Sequence, residues 1–257
     1  MTDLDLGRLR VPKASDVLAD RLRQQILDGE LTAGDPLPPE RVLSEHTRMS
    51  RTVVREALRI LEIEGLIEIR PGRNGGSVVR APDVNSFARS LDIFIRGRRV
   101  RFDDVLEARE LLEPICARLA AERRNAEDLQ KLQEHTSVVE AAIDDVPAFL
   151  TANVDWHVAV ARISHNELLA AFMQAMATAV RAATDVENFN SPDTIAGAVR
   201  AHRRIASAIT EGDPDAAFLA MRRHLIAYEG MVHKVSVPAE LELRPVSGAA
   251  ELRLDRR

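Results

Sequence analysis

Apolar residues recur at every third or fourth position over most of the chain, and strict alternation is confined to one short stretch. In "KASDVLADRLRQQILD", residues 13–28, Leu18, Leu22 and Ile26 share a helical face, and Gly29 supplies a stop. The prolines and glycine of "LTAGDPLPPE" forbid continuation and predict a loop. Pro39 suits the first turn of a second helix through "PERVLSEHTRM". Ser50 suits the N-cap of a third, which runs to about Glu64 before Gly65. "LIEIR" and "SVVR" alternate or are β-branched, and "PGRNGG" between them has the chemistry of a hairpin tip. Three helices followed by a two-stranded ribbon predict a winged helix-turn-helix over residues 1–80.

"RAPDVN" marks a boundary, with 81–86 as linker. Beyond it the period is helical, and helices are predicted near 84–97, 101–124, 126–143, 146–164, 166–187, 193–211 and 214–235. Breaks fall at Gly97, Asn125, Pro147, Asn166, Pro192 and Gly212-Asp213-Pro214. The expected architecture is mainly α: the winged domain, then an all-α helical bundle over 87–235. Residues 236–257 have no sustained period and contain two prolines, and are expected to form a disordered tail.

Composition narrows this further. Aromatics are only 4% of the 257 residues, so the cores must be built from Leu, Ile, Val, Ala and Met, which favours helices. The single cysteine, Cys116, excludes an internal disulfide framework and a thiolate-rich zinc site. No long uncharged apolar run exists and "MTDLDLGRLR" lacks a signal-peptide core, so a cytoplasmic protein without membrane partners is expected. A net charge of −5 argues against indiscriminate coating of nucleic acid, but a local basic patch remains open.

Such a patch is present. On a helix starting at Ser50, Val53, Val54, Ala57, Leu58, Ile60 and Leu61 form an apolar face, while Arg51, Thr52, Arg55 and Arg59 lie off it. A solvated charged face is the plain explanation. Against it, the arginines crowd the N-terminal end, where the helix dipole opposes them and where a recognition helix meets the major groove. Ser50 and Thr52 suit phosphate or base edges. Arg41 and Arg48 add charge from the preceding helix, and Arg73 from the hairpin tip, beside glycines that allow close backbone approach. The pattern points to double-stranded DNA.

In the helical region, histidines stand where leucines would be expected. Phe149, Trp156, Val160 and Ile163 make a stripe with Asn153 inside it and His157 beside it. His202 is surrounded by Ile195, Ala198, Val199, Ile205 and Ile209, and His224 by Ala217, Met221, Tyr228 and Met231. One inward histidine is usually a hydrogen-bonded core residue. Three on separate helices leave two readings open, satisfied core residues or ligands of a divalent metal. His46, His135, His165 and His233 are read as surface or capping residues. No carboxylate is evident near the three histidines to act as general base. Arg109 and Glu113, one turn apart, have a surface ion pair as their plain reading.

The segment "LPPERVLSEHTRMSRTVVREALRILEIEGLIEIRPGRNGGSVV" resembles the winged-helix domain of GntR-type bacterial transcription regulators. The resemblance implies that Arg41, Arg51 and Arg55 make the principal phosphate and base contacts, that Ser50 and Thr52 support them, and that Gly72 enters the minor groove. In "HTRM" the chain departs from the pattern, with Arg48 in place of glycine, and a distorted turn is expected there. Residues from about 84 to 235 resemble the FCD domain of the FadR subfamily, through "EARELLEPICARLAAER", "NVDWHVAVARISHNELL" and the spacing of His202 and His224. That resemblance implies a divalent ion (zinc, nickel or similar) on Asn153, His157, His202 and His224, with Arg109 meeting a carboxylate or lipid-like effector. It implies a homodimeric repressor on a palindromic operator, and no enzyme. The alternatives are a metal-dependent hydrolase or a metal-free structural bundle.

Overall fold

The computed structural model describes residues 12–70, 72, 76–81, 84–184 and 191–232. They fall into two compact units divided between Ser86 and Phe87. The first holds α1 (Ala14–Leu27), α2 (Glu40–Thr47), α3 (Arg51–Ile63), β1 (Ile67–Arg70) and β2 (Gly76–Val79). Its core gathers Leu18 and Leu22 of α1, Leu43 of α2, Val54, Ala57, Leu58 and Leu61 of α3, and Ile67 and Val79 of the ribbon. Ser50 caps α3, its Oγ accepting from the Val53 amide at 3.3 Å. Gly65, at φ 75°, turns the chain out of α3 into β1. β1 and β2 pair antiparallel, with Ile67 opposite Val79 and Arg70 opposite Gly76.

Two local features differ from expectation. The loop after α1 adds itself to the ribbon edge: the Leu37 amide donates to Ser77 O at 2.8 Å and the Val79 amide to Asp35 O at 2.9 Å. The turn between α2 and α3 is not distorted. Arg48 takes the left-handed conformation, φ 56° and ψ 27°, that a glycine would adopt there. The Met49 side chain packs on the core, and Ser44 Oγ donates to the Met49 carbonyl at 2.6 Å. Arg48 accepts a cost of about 1–2 kcal/mol for this geometry, and the turn keeps its shape.

The second unit holds α4 (Val84–Arg98), α5 (Phe102–Arg123), α6 (Ala126–Ala141), α7 (Val146–Ile163), α8 (Glu167–Thr184), α9 (Pro192–Glu211) and α10 (Pro214–Val232). α4 runs through Gly97, and the left-handed residue that ends it is Arg99. Asn125 and Asp128 cap α6 reciprocally, and Asp145 caps α7. Gly212, at φ 73°, closes α9. α7 is central: twelve of its 18 residues are buried, so its polar side chains lie in the interior rather than at the edge of a stripe. α8, α6 and α5 pack against it, α5, α9 and α10 pack against one another, and the main core joins residues from α5, α6, α7, α9 and α10. The expected ends of α8 at 187 and α10 at 235, and the expected tail over 236–257, lie outside the described residues.

Candidate metal centre, effector cavity and nucleic-acid interface

The bundle brings the three histidines together. His157 from α7, His202 from α9 and His224 from α10 each offer a ligand nitrogen, and these atoms lie within 4.8 Å of one another. The His157 and His224 rings stack with centroids 5.4 Å apart, and His202 meets both edge-on at 5.1 and 4.9 Å. Trp156 stacks flat on His202 at 4.1 Å, and Trp156 Nε1 donates to Thr136 Oγ1 at 2.9 Å, which fixes both rings. Both ring nitrogens of His202 are buried without a hydrogen-bond partner. Leaving such a group unsatisfied costs about 1–3 kcal/mol. Burial, then the nearby His224, His157 and Arg109, hold His202 well below its ordinary pKa. Burial, then His157 and Arg109, bring His224 down to about 3. Both rings are therefore neutral at physiological pH, with lone pairs free. This donor set fits a divalent metal.

Glu113 belongs to the same cluster, which corrects the expectation that no carboxylate lies near the histidines. Its Oε1 accepts from Arg109 Nε at 2.6 Å, and its Oε2 lies 2.5 Å from His157 Nδ1. The second contact is a close carboxylate–imidazole approach rather than a well-directed hydrogen bond. Burial opposes ionisation of Glu113, but Arg109 and then His157 outweigh it and hold the carboxyl well below the usual range. Arg109 Nη2 reaches His157 Nε2 at 3.5 Å; a guanidinium only donates, so Nε2 carries the lone pair and Nδ1 the proton. The arrangement is a carboxylate–histidine pair of the kind that orients metal-binding imidazoles. With both oxygens engaged, Glu113 is not placed to activate water.

Arg109 is no surface residue: it is 2% exposed. Its Nη1 has no hydrogen-bond partner, and its guanidinium lies 5.6 Å from the Tyr228 ring centroid. It lines a cavity of about 490 Å³ together with Asn153, His224 and Tyr228, while α9 and α10 contribute Arg200, Arg204 and Arg223. Asn153, buried and one turn before His157, lies on the cavity wall; His157 and His202 lie behind it. Asp155, by contrast, is turned outward and exposed.

On the winged unit, Arg51, Thr52, Arg55 and Arg59 of α3 are exposed while its opposite face is buried. Arg55 is held in a two-pronged ion pair by Glu40 of α2, Nε to Oε1 at 3.0 Å and Nη2 to Oε2 at 2.7 Å. Arg41 pairs with Glu45 at 2.6 Å. Ser50 spends its hydroxyl on the α3 cap and stays exposed. Gly72 has φ 108°, a backbone conformation that side chains disfavour. Arg73 lies outside the described residues. Of the remaining histidines, His46 is exposed, His135 is half-buried and His165 Nε2 lies 2.7 Å from Asp128 Oδ2; His233 is outside the described residues.

Sequence reasoning missed Glu113, Trp156 and the cavity arginines. For Glu113 a signal existed: with Arg109 it interrupts the otherwise apolar row Phe102, Leu106, Cys116, Ala120 on α5, which marks both as buried.

Comparison with known proteins adds to this geometry. A family model described as bacterial regulatory proteins, gntR family, matches residues 14–76, and one described as the FCD domain matches residues 104–227. The HTH-type transcriptional regulator LutR of Bacillus subtilis is 30% identical over 211 residues, covering 80% of this chain and 95% of that protein. The Glc operon transcriptional activator of Escherichia coli K12 is 29% identical over 230 residues, covering 86% and 90%. Among solved structures, Streptococcus agalactiae GntR aligns with a TM-score of 0.64 at 29% identity, covering 84% of this chain and 99% of that one.

Proposed function

Because the chain belongs to the gntR family of bacterial regulatory proteins, with an FCD effector domain, and is a DNA-binding transcription regulator rather than an enzyme, we propose that it is a homodimeric repressor released from a palindromic operator by a small anionic effector in a metal-containing cavity. A two-fold dimer supplies two recognition helices to two inverted half-sites. In this reading Arg51 and Arg55 of α3 reach base edges, where bidentate arginine suits guanine. Arg41, Ser50 and Thr52 contact phosphate, and Gly72 with Arg73 follows the groove from the wing. Operator DNA places the protein in the cytoplasm.

The residues that would hold the divalent ion, zinc, nickel or similar, are His157, His202 and His224 with Asn153. When bound, such an ion supplies a Lewis-acid anchor for a carboxylate. Asn153 brings no charge, so the single carboxylate of Glu113 faces both the ion and the Arg109 cation. That imbalance favours an anion, and Arg109, with Nη1 unpartnered on the cavity wall, is the group to orient it. The observation that carries the reading is the set of partnerless buried nitrogens, both of His202 behind the cavity wall and Arg109 Nη1 on it. The effector controls transcription only through different affinity for DNA-competent and DNA-incompetent states.

The test is fluorescence anisotropy with duplex from the chain's own upstream region against random duplex, at about 0.15 M salt. The wild type prefers its own sequence, and Arg55→Ala loses that preference while remaining folded and dimeric. An unchanged preference in Arg55→Ala would refute the recognition-helix assignment. Activation is the second reading, favoured by the name of the Glc operon relative; a promoter reporter, rising or falling on deletion of the gene, separates the two.

A further inference from the structure

Three of the cavity's arginines are not used by the reading above. Arg200 and Arg204 sit four residues apart on α9, and Arg223 faces the cavity from α10. All three are exposed at the cavity, and none forms an ion pair or side-chain hydrogen bond with a described residue. Among the described residues, no acidic one lines this cavity. Other arginines of the same unit do find carboxylates: Arg203, adjacent to Arg204, pairs with Glu140 at 2.5 Å, and Arg118 pairs with Asp215 at 2.5 Å. Like charges one turn apart on a helix repel, so clustered, unneutralised guanidiniums at a concave surface are a standing demand for an anion. Small residues between them, Gly197, Ala201 and Ala227, keep the space open. The room is ample: at about 30 Å³ per water, the 490 Å³ cavity holds on the order of sixteen waters' worth, several times a two- or three-carbon acid.

We propose that the cavity has a second anion subsite, formed by Arg200, Arg204 and Arg223, so that the effector carries two anionic groups. This rests on the reading of Arg109 and the histidine cluster as the first subsite. Arg109, buried with one unpartnered nitrogen, takes one group, and the exposed trio takes the other at a different part of the same wall. The shared chemistry is an acid of roughly four to seven carbons with an anionic group at each end. Its second group is a carboxylate or a phosphate.

Isothermal titration of the full chain, loaded with zinc and dialysed, tests this with matched probes: butyrate against succinate, gluconate against glucarate, and gluconate against 6-phosphogluconate. At least one probe with two anionic groups binds on the order of tenfold more tightly than its match with one, and the glucarate and 6-phosphogluconate arms separate carboxylate from phosphate. In the Arg200→Gln/Arg204→Gln/Arg223→Gln variant that advantage disappears while monoanion affinity is unchanged; Arg204→Gln alone reduces it. Equal affinity for every matched pair, or a triple variant that weakens mono- and dianions alike, overturns the second subsite. If monoanions still bind and lose affinity in Arg109→Gln, the first subsite stands without the second. If no probe binds and Arg109→Gln changes nothing, both fall.

Discussion

Replacing Glu113 by Gln keeps the shape of the side chain and removes its charge. In the wild type that charge faces the Arg109 guanidinium at 2.6 Å and His157 Nδ1 at 2.5 Å, with both Arg109 and Glu113 about 2% exposed. An exposed pair of this kind contributes only about 0.2–1 kcal/mol. A buried one behaves differently, because deleting one partner strands the other charge in a medium that solvates it poorly, at about 3–5 kcal/mol. The lower part of that range is expected, since Arg109 retains the Tyr228 face and opens on the cavity. For about 3–4 kcal/mol, at about 2–4 °C per kcal/mol for a chain of this size, the metal-free melting temperature falls by roughly 6–16 °C. Zinc affinity falls by about 10–100-fold, because His157 loses the carboxylate that orients its ring. Thermal melting in EDTA measures the first effect and competitive zinc titration the second. Glu107→Gln, exposed on the same helix, is the control and changes neither. If Glu113→Gln matched the control in both assays, the buried pair would not hold the cluster as argued.

The remaining predictions concern pH and one turn. Without metal, the unfolded chain protonates His224 near its ordinary pKa of about 6.5, whereas the folded chain resists until about 3. The unfolded state thus binds more protons across that window, and stability falls as pH drops from about 6.5 toward 3. His202 adds to this in the same direction. Glu113 joins only below the ordinary carboxylate range of about 4.3, since its folded pKa is depressed. Calorimetry of the metal-free protein between pH 7 and 4 should show this slope, and a flat profile would contradict the neutral, buried imidazoles. Gly212→Ala should lose about 1–2 kcal/mol, because φ is 73° there and a Cβ would collide with the Arg124 guanidinium; urea midpoints check it.

The winged unit was legible because its determinants are local. Ser50 caps the helix it precedes, Gly65 turns where a stop was expected, and the short alternating runs form a ribbon. Arg48 shows the limit of local reading: surrounding packing, with Met49 on the core, imposes a left-handed turn that residue preference alone would not choose. In the helical unit, the inward histidines were visible from spacing. What orders them was not, since Trp156 stacks on a ring 46 positions away and Glu113 meets His157 44 positions away. Those contacts are fixed by how α5, α7 and α9 are placed in the bundle. α7 also resisted a stripe reading, because a helix buried on most sides has no solvent face to set its phase. The cavity arginines escaped for the opposite reason: exposed guanidiniums on α9 and α10 look in sequence like any solvated face.

The most direct test of the metal centre is the metal content of the full chain, purified without a metal-charged resin and measured beside His202→Ala. The account predicts close to one divalent ion per wild-type chain, retained through dialysis, released by chelator with a drop in melting temperature, and absent from the variant. Wild-type protein that carries no more metal than His202→Ala, and melts at the same temperature with and without chelator, would contradict it.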